Sequence, residues 1–231
     1  MLSVVIPTKD SEEALARTLA ELVPAAADGT VREVIVVDAG STDGTATIAD
    51  GAGCTFLNGP ADVGARLALG AEAASRGDYL LCLMPGVVPS AGWEADLAAL
   101  VDRLDRRGKA GGAMIFRYAV DDVGLMAGLQ QAAVRLLGWL GGVPHADQGL
   151  LLPHALLRGI GGFRPLGSLS LVDVAHRVGT RRTNTLRATA SRISPDGSGG
   201  WLPGGRPLGT LALLLLLALR LPPALLRRLT P

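Results

Sequence analysis

The sequence predicts an α/β protein: a mostly parallel sheet with helices on both faces, followed by a C-terminal helical tail. Three observations predict it. Short apolar, β-branched runs recur at residues 2–7, 31–38, 54–57 and 79–84. Segments with helical spacing lie between and after them, at 42–50, 62–76 and 92–106. At 231 residues, 48% of them apolar, the chain can bury one large core.

The elements follow in order. Residues 2–7 read as a buried strand. Asp10, with Glu13 three residues on, is placed to cap the next helix, where Leu15, Leu19 and Leu22 share one face. Residues 31–38 form the second strand, and Ser41 is placed to cap the helix after it. Strand–helix alternation at this spacing calls for parallel pairing. A fifth strand is expected over 110–118, a helix over 121–140, a turn at Gly161-Gly162-Phe163 and a helix over 170–178. The domain is expected to span 1–193, with a Gly/Pro/Ser-rich linker at 194–206 and an apolar, Arg-rich helical tail at 207–231.

Charge is unevenly distributed. From Arg177 onward nine Arg face one acid, Asp196, giving +8, while the first 176 residues carry −7. A basic tail on an acidic body suits an anionic membrane surface. Packing of the tail on the domain, or contact in a homo-oligomer, is the other expectation for an apolar helix. Aromatics make up only 3%, which excludes a base-stacking nucleic-acid surface. Cys54 and Cys82 sit in apolar runs without metal-ligand spacing. The chain enters a strand by Ser3, with no signal-peptide pattern, and the apolar run 211–219 is too short to span a bilayer. A cytoplasmic protein, peripheral on the inner membrane face, is expected.

Ligands of open α/β sheets bind beyond the carboxyl ends of the strands. Three loops should meet there: Pro7-Thr8-Lys9-Asp10, the Asp38–Thr45 loop, and the Met84-Pro85-Gly86 turn. Asp38 can accept hydrogen bonds from a ribose or base edge, and Gly40 permits close backbone approach. No Gly-x-Gly-x-x-Gly follows the first strand, which argues against a dehydrogenase.

Taken together, Ser3-Val4-Val5-Ile6-Pro7-Thr8, Val34-Ile35-Val36-Val37-Asp38-Ala39-Gly40-Ser41-Thr42-Asp43-Gly44-Thr45 and Gly77-Asp78-Tyr79-Leu80-Leu81 resemble a family 2 glycosyltransferase of the GT-A (Rossmann-like) fold. Ala146-Asp147-Gln148-Gly149, Gly161-Gly162-Phe163 and Val172-Asp173-Val174-Ala175-His176-Arg177 extend the likeness over about 180 residues, in the manner of small stand-alone bacterial members. The resemblance implies a nucleotide-sugar donor and inverting transfer to an acceptor, lipid-linked if the tail meets membrane. It places Pro7, Thr8, Asp10, Asp38, Gly40, Ser41, Gly64 and Arg66 around the nucleotide. Asp147 and Gln148 border the donor sugar or acceptor, Gly162 and Phe163 shape the acceptor floor, and Asp173 is the general base.

Two positions depart from the pattern. Gly86 stands where the family places a metal-ligating Asp, and Val172 replaces a Glu. A divalent Mn or Mg ion therefore lacks its expected ligand, and Arg66, His145, Arg164 or a helix N-terminus is left to neutralise a diphosphate. A catalytically degenerate relative that binds a nucleotide-sugar or a protein partner is the alternative.

Overall fold

The computed structural model describes residues 1–106, 111–119 and 146–192. The expected helix at 121–140, His145, the linker and the tail lie outside the described residues. Within them, eight strands form one sheet: β1 (Leu2–Thr8), β2 (Val31–Asp38), β3 (Thr55–Asn58), β4 (Tyr79–Cys82), β5 (Val87–Pro89), β6 (Ala113–Ala119), β7 (Leu150–Pro153) and β8 (Thr183–Arg192), in the order β3-β2-β1-β4-β7-β6-β8-β5. The helices are α1 (Glu12–Ala27), α2 (Thr45–Gly51), α3 (Val63–Ala73), α4 (Trp93–Arg106), α5 (His154–Gly159) and α6 (Ser170–Val178).

The first four strands pair in parallel, as strand–helix alternation requires. Beyond β4 the sheet is mixed: β7 runs antiparallel to β4 and β6, and β5 antiparallel to β8, while β6 and β8 run parallel. β5, β7 and β8 went unanticipated in the sequence, and β4 stops two residues early because Pro85-Gly86 turns the chain.

Period-two alternation divides the core. Val4, Ile6, Val36, Leu81, Leu83, Met114, Phe116 and Leu151 face α1, α2 and α4. Val5, Ile35, Val37, Leu80, Cys82, Leu150 and Leu152 face α3, α5 and α6. Both faces are therefore apolar, which explains why these strands read as continuous hydrophobic runs rather than alternating ones. Each fully buried Leu or Ile contributes about 1.5–3 kcal/mol on transfer from water. Trp93 and Phe116 meet edge to face, with ring centroids 5.8 Å apart, and close the core beneath α4.

Polar side chains pin the irregular points. Between Ile115 and Arg117 the β6–β8 register slips, leaving extra residues on β8. Asp96 of α4 accepts hydrogen bonds there from the amides of Arg187 (2.5 Å) and Ala188 (2.8 Å). At the opposite end of the sheet, one Glu33 oxygen accepts from the Ser3 hydroxyl (2.6 Å) and the amides of Ser75 (2.8 Å) and Arg76 (2.7 Å). Burial would raise the Glu33 carboxyl, but these donors and the Arg76 charge outweigh it and hold the pKa below its ordinary value.

Glu33→Ala strips partners from the fully buried Ser3 hydroxyl and two amides, and should cost about 1–3 kcal/mol in urea unfolding at neutral pH. The depressed pKa makes this contribution complete above about pH 4.5 and removes it as pH falls through the folded value, so the gap between wild type and variant should close in acid.

Candidate functional site

The carboxyl ends of β1, β2 and β3 lie level, with Thr8 in register with Asp38 and Asp38 with Asn58. Asp38 is only 2% exposed. Its carboxylate accepts from the Thr8 hydroxyl (2.9 Å), the Ser41 amide (2.6 Å) and the Ser41 hydroxyl (2.5 Å). Burial pushes its pKa up, yet the Ser41, Thr8 and Gly40 donors prevail and leave it below the ordinary value. The group stays ionised and fixed in direction.

Behind it lies Arg66, 4% exposed, at the end of the first turn of α3. One guanidinium nitrogen donates to the Thr8 carbonyl at 2.6 Å, while Nε is buried without a partner. Burial lowers its pKa, offset in part by the charges of Asp38 and Asp62. Asp62 caps α3 through the Ala65 amide (2.9 Å) and also accepts from the Gly167 amide (3.0 Å). A Cβ on Gly64 would stand 2.1 Å from both the Arg164 carbonyl and the Ser170 hydroxyl, so only glycine lets α3 meet the 164–170 segment.

The first two loops are tied to each other. Asp10, at φ +43°, accepts from the Thr42 amide (2.8 Å) and donates its own amide to the Ser41 hydroxyl (2.7 Å). Lys9 reaches the Gly40 carbonyl at 2.6 Å. The Thr42 amide, followed by Lys9, pulls the exposed Asp10 carboxyl below its ordinary value. Two expectations are corrected here. Ser11, not Asp10, is the N-cap of α1, and Gly44, not Ser41, that of α2; neither helix has a side-chain cap bond. Asp10 and Ser41 bond across the loops instead, because joining two strand ends satisfies more donors than capping one helix. Gly40, at φ +78°, is exposed and faces open space, whereas Pro7 is buried in β1.

The third loop is a type II turn. Val87 donates to the Met84 carbonyl at 3.1 Å, with Pro85 at the second position and Gly86, at φ +83°, at the third. The Gly86 amide donates to the Ala14 carbonyl (3.1 Å) and the Thr18 hydroxyl (2.9 Å), and that hydroxyl donates to the Val87 carbonyl at 3.1 Å. α1 thus holds the turn from beneath. The 3₁₀ turn Ala146–Gln148 leads into β7 and lies against β6 and β8. Gly149 packs so tightly on Leu83 that a Cβ would lie 2.8 Å from that side chain. Gln148 donates to the Phe116 carbonyl (3.0 Å), and Asp147, 6% exposed, pairs with Arg192 at 3.0 Å.

Asp173 lies 5% exposed on α6, paired with Arg177 at 2.7 Å and with Arg164 at 3.6 Å. Arg177 also donates to the carbonyls of Ile160 and Gly162, the latter at 2.7 Å, and so fastens the Gly161-Gly162 turn to α6. Phe163 is buried in the core between sheet and α6. His176 is exposed, and Arg177, at i+4 from Asp173, takes the carboxylate. Sequence reasoning missed Thr18, Asp62, Arg177 and Arg192. Only the i, i+4 spacing of Asp173 and Arg177 could have signalled any of them.

Residues 3–116 match the model of glycosyl transferase family 2. Among solved structures, the fold matches glucosyl-3-phosphoglycerate synthase from Mycobacterium tuberculosis in complex with Mn²⁺, UDP and glucosyl-3-phosphoglycerate, at TM-score 0.63 and 22% identity over 96% of this chain and 81% of that one. The same enzyme with Mn²⁺ and UDP-glucose gives 0.61 and 21%, over 96% and 80%. A further mycobacterial protein gives 0.62 and 22%, over 96% and 76%. These likenesses establish the GT-A fold. No curated protein matches the chain significantly.

Mn²⁺ and Mg²⁺ favour carboxylate, carbonyl and water oxygens. The turn offers a thioether, a proline ring and a glycine, and the described residues contain no group of three or more His, Cys, Asp or Glu able to hold a metal ion. The donor set of this corner does not fit a divalent cation of that kind. No described helix is long and apolar enough to cross a membrane.

Gly64→Ala should force α3 from the 164–170 segment, cost about 1–3 kcal/mol and lower the melting temperature. Gly51→Ala, with nothing within 4 Å of its Cβ, serves as control and should be neutral or stabilising.

Proposed function

We propose that the chain binds a nucleotide-diphosphate sugar over the ends of β1 and β2 and transfers the sugar to an acceptor hydroxyl with inversion. The observation that carries this is the fixed, ionised Asp38 carboxylate, which sets the level strand ends and the exposed Gly40 approach of a family 2 domain. UDP is the first nucleotide to try, since the M. tuberculosis enzyme of like fold was captured with UDP and UDP-glucose.

In this proposal the Thr8, Asp10 and Ser41 loops hold the nucleoside, with the Ser41, Thr8 and Gly40 donors keeping Asp38 charged. The Asp147–Gln148 turn and the Gly162 turn flank the sugar and acceptor. The acceptor oxygen attacks the anomeric carbon from the face opposite the diphosphate. As that C–O bond forms, the bond to phosphate breaks and its electron pair leaves with the diphosphate. Asp173 takes the hydroxyl proton once Arg164, at 3.6 Å and half exposed, swings aside; Arg177 keeps the carboxylate in place.

One observation favours a second reading, a domain that binds donor without turning it over: Asp173 is engaged by two arginines and nearly buried. The two readings diverge in one pair of variants. Asp38→Asn should weaken calorimetric UDP binding about tenfold with circular dichroism unchanged; undiminished affinity removes Asp38 from the site. Asp173→Asn should leave UDP binding intact and abolish UDP release from UDP-sugar. Wild-type protein that binds UDP but releases none with any acceptor offered supports the binding domain.

A further inference from the structure

We propose that Arg192 supplies, at the donor diphosphate, the positive charge that a divalent cation supplies where this corner of the fold carries a carboxylate. The proposal rests on the nucleotide-sugar assignment and adds the residue that handles the leaving group. Arg192 ends β8, and its register partner is Val87, the residue that closes the Met84–Val87 turn. The corner that has lost its ligand therefore has a guanidinium on the adjoining strand.

The placement is built rather than incidental. Leu150 pairs with Cys82, so the chain preceding Leu150 runs back along the exit of β4, with Gly149 seated on Leu83. That brings Asp147 beside the turn, where its nearly buried carboxylate holds an Arg192 nitrogen at 3.0 Å. The Asp147 side chain is 8% exposed and that of Arg192 50%, so a fixed acid aims a cation whose other half meets solvent. A guanidinium carries five donors in a planar fork and can take two phosphate oxygens while one nitrogen stays on a carboxylate. It keeps its charge at any physiological pH and gives it up to no chelator. A diphosphate held there would leave with its new charge met by Arg192, without a metal ion.

Three other arginines among the described residues are placed for different tasks. Arg66 is buried against the Thr8 carbonyl at the nucleoside end, and Arg177 is committed to Asp173 and two carbonyls. Arg164 faces Asp173.

The test is calorimetric titration of the full chain with UDP and GDP, and with uridine and guanosine, each in EDTA and in Mn²⁺. In wild type, diphosphate affinity should agree within about twofold between the two buffers. Arg192→Gln should weaken the diphosphate about tenfold while leaving the nucleoside unchanged, and Arg192→Lys should recover part of the loss. Tightening by Mn²⁺ of about tenfold or more in wild type overturns the proposal, as does an Arg192→Gln protein that binds diphosphate normally or loses nucleoside equally. If neither nucleotide nor nucleoside binds wild type in either buffer, the donor assignment itself fails, and the role of Arg192 with it.

Discussion

The pairing of Asp38 with the end of β1 holds the candidate site together. A carboxylate at 2% exposure is tolerable only if hydrogen bonds replace the water it has lost, and Thr8 and Ser41 provide them. Thr8 is reached because β1 and β2 are level at that register, and Ser41 because the chain reverses at Gly40. The same interaction therefore fixes the strand register, the shape of the second loop and the charge that loop retains. Arg66 adds a buried positive charge from the far side, but its hydrogen bond goes to the Thr8 carbonyl. The charges of Asp38 and Asp62 in turn offset part of the cost of burying that guanidinium.

α3 carries this order to the second half of the chain. Its first residues serve three purposes within one turn: Asp62 caps the helix and accepts from Gly167, Gly64 admits the Arg164 carbonyl and Ser170, and Arg66 returns to β1. Through Ser170 the contact reaches α6, and through Asp173 and Arg177 it reaches the Gly162 turn. The first two loops and the Gly162 turn are thus mounted on one helix terminus. A buried ion pair such as Asp173–Arg177 contributes little net stability over an apolar pair, and its use here is to fix geometry.

The Met84–Val87 corner is where this chain departs from the family pattern it resembles. A type II turn with Pro and Gly at its centre, pinned by Thr18, fixes the backbone at a point where a metal site needs a carboxylate. Gly86 at φ +83° admits a side chain only with strain, so restoring the lost acid is more than exchanging one residue. Beside that corner the sheet places Arg192 of β8, in register with Val87 and paired with Asp147.

The sequence by itself determined the first four strands, α1 to α4 and the GT-A class, because two-sided burial and helical spacing are written in consecutive residues. It also singled out Asp38, Asp147 and Asp173 as candidates, through short motifs whose order along the chain carries the family likeness, and Gly64 and Arg66 through the place the resemblance gives them. Only the tertiary structure decided what those groups touch. That Asp10 and Ser41 bond across two loops depends on strand register, a relation between segments about thirty residues apart. That Asp147 meets Arg192, and Arg192 stands beside Val87, depends on β7 and β8 entering the sheet with opposite senses beside β4 and β5. Local composition encodes burial and periodicity, but pairing between distant strands is settled by the closing of the whole sheet.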